Sequence, residues 1–449
     1  MSFTQFKFNP QIVANIEACN YTTPTPIQVQ AIPIVLNGHD VFGLAQTGTG
    51  KTAAFVLPII QKIIDGSRRT PRALVIAPTR ELAEQIHTDI CKLANKTGIR
   101  SISIYGGVSK FAQTKKLREG VDIIVACPGR LLDHLSDGGI NLAKIETLVL
   151  DEGDHLFDMG FLPAIRRIIK YLPKNRQNLL FSATMPSEIM KLASDILKDP
   201  KTVQIDHEKP KDTVSHKLFS VESNKKTALL KDIISKTDMG ATLIFTKTKH
   251  RAKSLAEQLQ KAGHSATSLH GNLSQQKRQE SLNGFKEGTF KLMVATDIAA
   301  RGIDVTGISH VINFDVPDTV EAYTHRIGRT GRASLKGEAF TFAGREDWKM
   351  IKMIERSFGK EIARDKLFNI GELVPDKRTQ STPIRKEASS TPKRNDRFNR
   401  HEDQGRNNTK YKKTGNRPQR RDRAAQSASG SENIFLSPGR PRGNPARGM

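Results

Sequence analysis

Residues 40–52 read Asp40-Val-Phe-Gly-Leu-Ala45-Gln46-Thr47-Gly48-Thr49-Gly50-Lys51-Thr52 and give the clearest indication of the fold class. A short apolar run passes into a glycine-rich loop that ends in Lys-Thr, which is the pattern of a phosphate-binding loop between a strand and a helix. The glycines allow backbone N–H groups to point at phosphate oxygens. In this pattern Lys51 supplies charge to the β and γ phosphates, and the Thr52 hydroxyl ligates Mg²⁺. Residues 45–52 are therefore predicted to bind a nucleotide.

Apolar runs like the one before this loop recur along the chain, and helical stretches separate them. Nearly all of the runs are short and continuous rather than alternating, which is typical of a strand buried on both faces. Strands that alternate with helices predict parallel sheets flanked by helices, so the fold class is α/β with two tandem domains of similar layout. The first set of runs is 40–45, 73–78, 101–106, 122–128, 147–152 and 178–184, and the second is 216–221, 241–248, 265–271, 291–297, 310–317 and 337–344.

The chain is predicted to divide into two domains and a tail, since its 449 residues exceed the ~250 to 300 at which single cores stop growing. Residues 206–215 are polar and charged and contain Pro210, which is typical of a linker. The domains are predicted to span 1–207 and 208–371, and the tail 372–449. From residue 376 to 449 there are 19 Lys and Arg against 7 Asp and Glu, with few apolar side chains. Such a segment cannot bury enough apolar surface to offset its conformational entropy, so a disordered basic tail is predicted.

The formal net charge of +25 favours polyanionic partners, nucleic acid before an acidic membrane surface. No run approaches the ~18 apolar residues of a membrane span, and the polar start Met1–Phe6 lacks the features of a secretion signal. A cytoplasmic protein without membrane association is therefore expected. Cys19, Cys91 and Cys127 lack CxxC spacing, which predicts three reduced thiols rather than a disulfide framework or a zinc site.

Two acidic and two basic residues point to phosphoryl chemistry. Asp151 and Glu152 follow the apolar run 147–150, which puts both carboxylates at the end of a strand beside the phosphate loop. One carboxylate can hold Mg²⁺, and the other can orient or deprotonate the attacking water. Arg329 and Arg332 lie three residues apart in a glycine-spaced segment, so both can project toward one anion as arginine fingers do.

The order of these motifs resembles the DEAD-box RNA helicases of superfamily 2, and within them the bacterial RhlE-type proteins, over roughly residues 1–345. Gly153 makes the acidic motif Asp-Glu-Gly-Asp, where that family usually has Asp-Glu-Ala-Asp. The resemblance implies two RecA-like domains that face each other across one ATP. It is carried in unbroken order by Phe3, 24–28 (Pro-Thr-Pro-Ile-Gln), 45–52, 78–82, 106–107, 127–130, 151–154, 182–184, 243–246, Gln275 with Arg278, 295–297, 301–304 and 325–332.

For the nucleotide, the resemblance implies ATP with Mg²⁺, which Thr52 and Asp151 would hold. Gln28 would hydrogen-bond the adenine edge and Phe3 would stack on its ring. In such families the residues equivalent to Gly302 and Asp304 approach the ribose, while those equivalent to Arg329 and Arg332 reach the γ-phosphate. His325 resembles the residue that links the acidic motif to the second domain, although a lone histidine is often only a packed or capping group. The catalytic set is thus Lys51, Asp151, Glu152, His325, Arg329 and Arg332.

For RNA, the resemblance implies backbone contacts from both domains. Backbone N–H groups, threonine hydroxyls and arginines address phosphates and sugars, so sequence-independent binding is predicted. The preference for RNA over DNA rests on the resemblance alone. The residues concerned are Pro78, Thr79, Arg80, Gly107, Gly129, Arg130, Thr246, Gln275, Arg278 and Thr296.

The predicted function is that of a monomeric ATP-dependent RNA helicase that opens short duplexes or remodels RNA–protein complexes, with ribosome-assembly or RNA-decay proteins as partners. Gly153 removes one methyl group and no acid, so activity is expected to survive. Cys127 stands where the family has threonine, and a thiol is the weaker donor to a phosphate. Two alternatives stay open at this point: a catalytically weak RNA-binding or annealing protein, and a DNA helicase.

Overall fold

A computed structural model describes residues 2–45, 48–205, 214–300, 305, 307–331 and 337–365. These residues form two α/β domains, each built on a parallel sheet of seven strands. Among them, no helix is both long and apolar enough to cross a membrane.

The first domain has its strands in the order β3-β4-β2-β5-β6-β1-β7, and every neighbouring pair is parallel. Its strands are β1 Val41–Leu44, β2 Ala73–Ile76, β3 Ser101–Ile104, β4 Ile123–Ala126, β5 Thr147–Leu150, β6 Gln177–Ser182 and β7 Lys201–Gln204. A 3-10 turn, Phe3–Phe6, precedes its helices, which are α1 Pro10–Ala18, α2 Pro26–Leu36, α3 Lys51–Ile63, α4 Arg80–Leu93, α5 Lys110–Arg118, α6 Pro128–Ser136, α7 Gly153–Asp158, α8 Leu162–Ile169 and α9 Ser187–Ile196.

The second domain repeats this layout with the order β10-β11-β9-β12-β13-β8-β14, again entirely parallel. Its strands are β8 Val214–Ser220, β9 Thr242–Phe245, β10 Ala266–Leu269, β11 Leu292–Ala295, β12 His310–Asn313, β13 Gly337–Ala343 and β14 Ala363–Arg364. Its helices are α10 Lys226–Lys236, α11 Lys249–Lys261, α12 Gln275–Lys286, α13 Asp297–Ala300, α14 Val320–Ile327 and α15 Trp348–Phe358.

Alternate residues of the central strands pack against opposite helical layers, which explains why these strands are apolar throughout. In β2, Val75 belongs to one core cluster, while Leu74 and Ile76 belong to the cluster on the other face. In β9, Ile244 and Leu243 divide in the same way. Both faces of each sheet are therefore dry, and polar chemistry is confined to the ends of the strands.

All twelve predicted runs form strands, which confirms the α/β class. Two edge strands were missed, because β7 is polar with a single buried residue and β14 is a pair of exposed residues, so neither has a continuous apolar run. The predicted linker was wrong at its end: β8 begins at Val214, inside 206–215, because its early residues pair with β13. Residues 206–213 and the predicted tail lie outside the described residues.

Candidate functional site

The phosphate-binding loop follows β1 and ends where α3 begins at Lys51. Gly48 and Gly50 have φ angles of 87° and 89°, a left-handed conformation that favours glycine. Lys51 is only 6% exposed, and its Nζ has no hydrogen-bond partner among the described residues. A buried ammonium without such a partner is costly, so this site fits an anion. Gln46 and Thr47 lie outside the described residues.

The amide of Gln28 links this loop to Thr25 at the start of α2. Its Nε2 donates to the carbonyl oxygen of Gly50 at 3.1 Å, and its Oε1 accepts from the backbone N–H of Thr25 at 3.0 Å. A Cβ atom at position 50 would lie 2.5 Å from Gln28 Nε2, so only glycine permits the contact. One N–H and one lone pair of the amide stay available for a further partner.

Phe3 lies in the 3-10 turn ahead of α1 and is 4% exposed. Its ring stacks on Tyr21, with centroids 6.5 Å apart and planes 25° apart. The predicted stacking of Phe3 on adenine stays a prediction.

Asp151 follows β5, which is separated from β1 only by β6. It is 2% exposed, and burial raises its pKa to about 6 although the charge of Lys51 acts in the opposite direction. A buried carboxylate whose ionised form is disfavoured gains from a nearby cation. With the half-buried hydroxyl of Thr52 it offers oxygen ligands, which suit Mg²⁺. In the described part of the chain no group of three or more acidic, His or Cys side chains could hold a metal, and Mg²⁺ needs only one or two protein ligands beside water and phosphate.

The pKa of Glu152 is shifted in the opposite direction from that of its neighbour Asp151. It caps α7 with a φ of 51°, and its Oε2 lies 2.8 Å from Nδ1 of His155. Burial would raise the pKa of Glu152, but His155, Lys51 and Arg329 together outweigh this effect and lower it to about 2. Glu152 is therefore ionised near neutral pH and able to orient a water molecule or accept a proton from it.

Asp154 joins the acidic motif to the end of β6. Its Oδ2 accepts from the backbone N–H groups of Ala183 and Thr184 at 3.1 and 2.9 Å, and from the Thr184 hydroxyl at 3.1 Å. The backbone N–H of Ala45 donates to the Ser182 carbonyl oxygen at 3.0 Å. The ends of β1, β5 and β6 are thus hydrogen-bonded into one unit.

His325 of the second domain reaches this unit from α14. Its Nδ1 lies 3.3 Å from Nε2 of His155, with the rings 4.9 Å apart and perpendicular. Its Nε2 lies 3.9 Å from Oδ2 of Asp154. A line of polar contacts therefore runs from Glu152 through His155 to the second domain.

Arg329 follows α14, is 5% exposed and lies close enough to Glu152 for its charge to contribute to the lowered pKa of that carboxyl group. Arg332, Gly302 and Asp304 lie outside the described residues.

Three residues of the first domain that are predicted to contact RNA, Arg80, Gly107 and Arg130, lie close together. A Cβ atom at Gly107, whose φ is 87°, would lie 2.1 Å from Nη1 of Arg80. A Cβ atom at Gly106 would lie 3.7 Å from Nη2 of Arg80 and 4.0 Å from Nη2 of Arg130. The two guanidinium groups thus flank an open glycine pair. Nearby in sequence, Pro78 precedes Thr79, whose hydroxyl caps α4, and Gly129 is exposed at the start of α6.

The predicted contacts of the second domain are less uniform. Thr246 is fully buried, Thr296 is half-buried after β11, and Gln275 opens α12 with a buried Oε1 that lacks a hydrogen bond among the described residues. Arg278 donates from Nε to Oε1 of Glu81 at 2.6 Å, and both side chains are buried. Because Glu81 belongs to α4, this ion pair joins the two domains.

Glu81 and Asp154 lie within the motifs 78–82 and 151–154, but the sequence predicted no role for either, and it missed His155 entirely. The only local signal for His155 is that it lies three residues after Glu152 at a helix start, where such pairs share a face. For Glu81 no local signal exists, because its partner lies 197 positions away.

Comparisons with known proteins find similar helicases over most of the chain. Residues 25–192 match the DEAD/DEAH box helicase model, and residues 225–334 match the helicase conserved C-terminal domain. The DEAD-box ATP-dependent RNA helicase CshA of Geobacillus kaustophilus is 39% identical over 366 residues, which cover 81% of this chain and 78% of that protein. The ATP-dependent RNA helicase DDX42 of Homo sapiens is 41% identical over 353 residues, but the chain spans only 38% of its length. The solved structure of S. cerevisiae Dbp5 bound to RNA and ADP BeF3 matches 81% of this chain and 95% of that one, with a TM-score of 0.73 and 30% identity.

Proposed function

Because the chain belongs to the DEAD-box family of ATP-dependent RNA helicases, we propose that it hydrolyses ATP when RNA is bound and uses domain closure to open short RNA duplexes or remodel RNA–protein complexes. Closure of two domains around a phosphoryl-transfer site is a general way to gate such chemistry. The proposal extends to the finer subtype, the bacterial RhlE-type group, on the sequence resemblance alone.

The observation that carries the proposal is the contact line Glu152, His155, His325. It connects the carboxylate suited to water activation in the first domain with a helix of the second domain, through distances of 2.8 and 3.3 Å. Arg329 follows the same helix and influences the same carboxylate. A change in domain arrangement would therefore alter the hydrolytic centre directly, which is what coupling of hydrolysis to closure requires.

In the proposed site, Lys51 binds the phosphates, Gln28 and Phe3 recognise adenine, and Glu152 positions the attacking water. Arg329, together with Arg332, stabilises the charge that develops on the transferred phosphoryl group. Gly302 and Asp304 are proposed to contact the ribose. Thr52 and Asp151 would hold Mg²⁺, which when bound neutralises charge on the β and γ phosphates.

RNA is proposed to lie across both domains, with Arg80, Gly107 and Arg130 holding its backbone in the first domain. Thr246, Gln275, Arg278 and Thr296 would do so in the second. The similar Dbp5 structure is that of a protein bound to RNA, which supports this assignment by analogy. Contacts to phosphates and sugars alone predict binding without base specificity. Arg278 would have to share its guanidinium between RNA and Glu81.

The decisive experiment is the steady-state ATPase rate of the full chain alone, with duplex RNA and with duplex DNA of the same sequence. We expect strong stimulation by RNA and little by DNA. Equal stimulation by DNA would favour a DNA helicase. Glu152→Gln is the matched control, because it removes the ionised carboxylate and keeps its shape. A wild-type rate no higher than that of Glu152→Gln, with RNA still bound, would favour a non-catalytic RNA-binding or annealing protein.

The basic segment 372–449 is proposed to act as a polycation that raises the local RNA concentration, since it carries about half of the net charge. We expect a chain truncated after Val374 to bind RNA more weakly, with a salt slope reduced by roughly 0.7 log units for each phosphate that the segment would neutralise. The maximal ATPase rate at saturating RNA should stay unchanged. Equal affinity and equal salt slope for the two chains would contradict a role in binding.

The domain limits 1–207 and 208–371, the cytoplasmic location, the monomeric state and partners from ribosome assembly or RNA decay stay predictions. Sedimentation of the purified chain tests the monomeric state, and capture of associated proteins tests the partners.

A further inference from the structure

The exposed face of α5 carries an aromatic ring and two cations in one line. Phe111, Lys115 and Arg118 are all exposed and stand at positions i, i+4 and i+7, which lie on the same side of a helix. Phe111 is 80% exposed, the highest value among the large apolar side chains of the described residues. Nothing in the proposed ATP and RNA sites uses this face.

The helix that presents Phe111 is held firmly from below. The Ser109 hydroxyl caps it by accepting from the N–H of Ala112 at 3.3 Å. On its inner side, Gln113 is buried and accepts from Nη1 of Arg130 at 3.1 Å, while its own Nε2 donates to the carbonyl oxygen of Tyr105 at 3.1 Å. The exposed ring therefore projects from a fixed base.

The position of α5 places this ring next to the proposed RNA path. Phe111 follows Gly107 by four residues, which span at most about 14 Å of extended chain. The Arg130 side chain that donates to Gln113 also donates to the carbonyl oxygen of Val108 at 3.1 Å. The guanidinium group of Arg130 thus contacts both Gln113 of α5 and the segment that follows the glycine pair Gly106 and Gly107.

Charge decides which partner fits this face. Lys110 of α5 pairs with Asp137 at 2.5 Å, and the helix further contains Lys115, Lys116 and Arg118 and no acidic residue. A single exposed apolar side chain needs no explanation by itself. Proteins that bind single-stranded nucleic acids, however, combine exposed aromatic rings with nearby cations, because bases stack on the rings and phosphates contact the cations. Phe111, Lys115 and Arg118 form this combination at the edge of the proposed RNA-binding surface.

We propose that Phe111 stacks on an RNA base just beyond the nucleotides held by Arg80 and Arg130, and that Lys115 and Arg118 contact the phosphates that follow. The RNA-binding surface then extends from the glycine pair onto α5. This inference rests on the proposed function, and it adds base stacking to contacts that otherwise address only the backbone.

The test compares full-length variants in binding to single-stranded oligoadenylate and to an abasic strand of equal length. Phe111→Ala and Phe111→Leu should weaken oligoadenylate binding at least about fivefold, because both lack a stacking face. Phe111→Trp should bind as tightly as the wild type. On the abasic strand all four proteins should bind equally. Tyr171→Ala is the matched control, since Tyr171 is an exposed aromatic residue at the end of α8, and it should change neither affinity.

Two results would overturn the inference: wild-type affinity of Phe111→Ala for oligoadenylate, or an equal loss on the abasic strand, which would mean that the ring acts without a base. Thermal unfolding of each variant identifies any loss due to misfolding, and Phe111→Leu keeps the apolar character if Phe111→Ala is unstable. Failure of the proposed function is a separate result, because a wild type without RNA-stimulated ATPase activity would still give an interpretable binding comparison.

Discussion

The two domains share one strand order, so β8 occupies the place of β1 and β12 the place of β5. The helix after the first of these strands begins with a buried lysine in both domains, Lys51 in α3 and Lys226 in α10. The lysines differ in their surroundings. Nζ of Lys226 lies 3.8 Å from Oδ2 of Asp347 within its own domain, whereas Nζ of Lys51 has no hydrogen-bond partner among the described residues.

The acidic residues that follow the equivalent strands β5 and β12, Asp151 and Asp315, also differ in their surroundings. Asp315, beyond β12, lies 3.5 Å from Nη1 of Arg251 and accepts from the N–H of Lys247 at 2.9 Å. The cavity of about 490 Å³ at this edge is lined by four basic and four acidic side chains, Lys226, Lys247, Arg251 and Lys349 against Asp315, Asp318, Glu346 and Asp347. The second domain therefore balances its charges internally, whereas in the first domain Nζ of Lys51 has no such partner among the described residues. The two edges share one topology, and it is this difference in local charge balance that favours the first domain as the proposed nucleotide site.

The largest expected effect separates the two lysines. Lys51→Ala and Glu152→Gln should each reduce the ATPase rate at least about a hundredfold, with ATP binding largely retained in Glu152→Gln. Lys226→Met, which removes the corresponding charge in the second domain and keeps the buried volume, should leave the rate within about twofold of the wild type. Steady-state kinetics and nucleotide titration measure both quantities. A comparable loss in Lys226→Met would break the comparison.

A second prediction concerns acid stability in the second domain. Burial, helped by the charge of Lys360, lowers the pKa of His216 in β8 to about 4. The unfolded chain binds the proton near pH 6.5, so the stability that neutral His216 provides is complete above that pH and is lost as the pH falls toward 4. The loss should reach up to about 3 kcal/mol.

Denaturant unfolding followed by Trp348, the only tryptophan of the chain, reports on this domain. His216→Phe keeps a ring between Tyr323 and Phe358 and removes the titration. Its unfolding free energy should fall less than that of the wild type between these pH values. If the unfolding free energies of the two proteins fall in parallel with pH, His216 is not the cause of the loss of stability in acid.

A third prediction concerns the ion pair between the two domains. Glu81 and Arg278 form such a pair, so Glu81→Gln, Arg278→Gln and the double variant should show a coupling energy of about 1 to 2 kcal/mol in the closure equilibrium. Energy transfer between labels on the two domains, with a non-hydrolysable ATP analogue and no RNA, measures closure. If the effects of the two single substitutions on closure simply add in the double variant, the ion pair does not contribute to closure, and the proposed RNA contact is the remaining role of Arg278.

The smallest expected effect is at Gly153, the first residue of α7. A Cβ atom there would lie 3.0 Å from Cδ1 of Leu180, a flexible side-chain end that has to move only slightly. Alanine also favours the helix over glycine by up to about 1 kcal/mol. Gly153→Ala should therefore change the ATPase rate by less than about threefold. A hundredfold increase would mean that glycine makes the natural chain a degenerate enzyme.

Much of the fold could be predicted because its signals are local. A strand buried on both faces has to be apolar throughout, so most of the ten central strands were visible as continuous runs, while β3 and β10, which were also predicted, lie at sheet edges. The edge strand β7 has three exposed residues of four, and burial therefore left no pattern in its sequence. The site was partly visible for the same reason, since Lys51, Asp151 and Glu152 each follow an apolar strand, and parallel strands bring their ends to one edge.

The two parallel sheets and the phosphate loop follow from local sequence, because continuous burial and glycine conformation act over a few neighbouring residues. Long-range packing pairs Arg278 with Glu81 and His325 with His155, partners 197 and 170 positions apart. It also decided the opposite pKa shifts of the adjacent Asp151 and Glu152. The two pairings depend on where the second domain lies against the first. The pKa shifts depend on burial and, for Glu152, on His155 three residues away and on Arg329 of the second domain, so spacing along the chain indicates only a part of them.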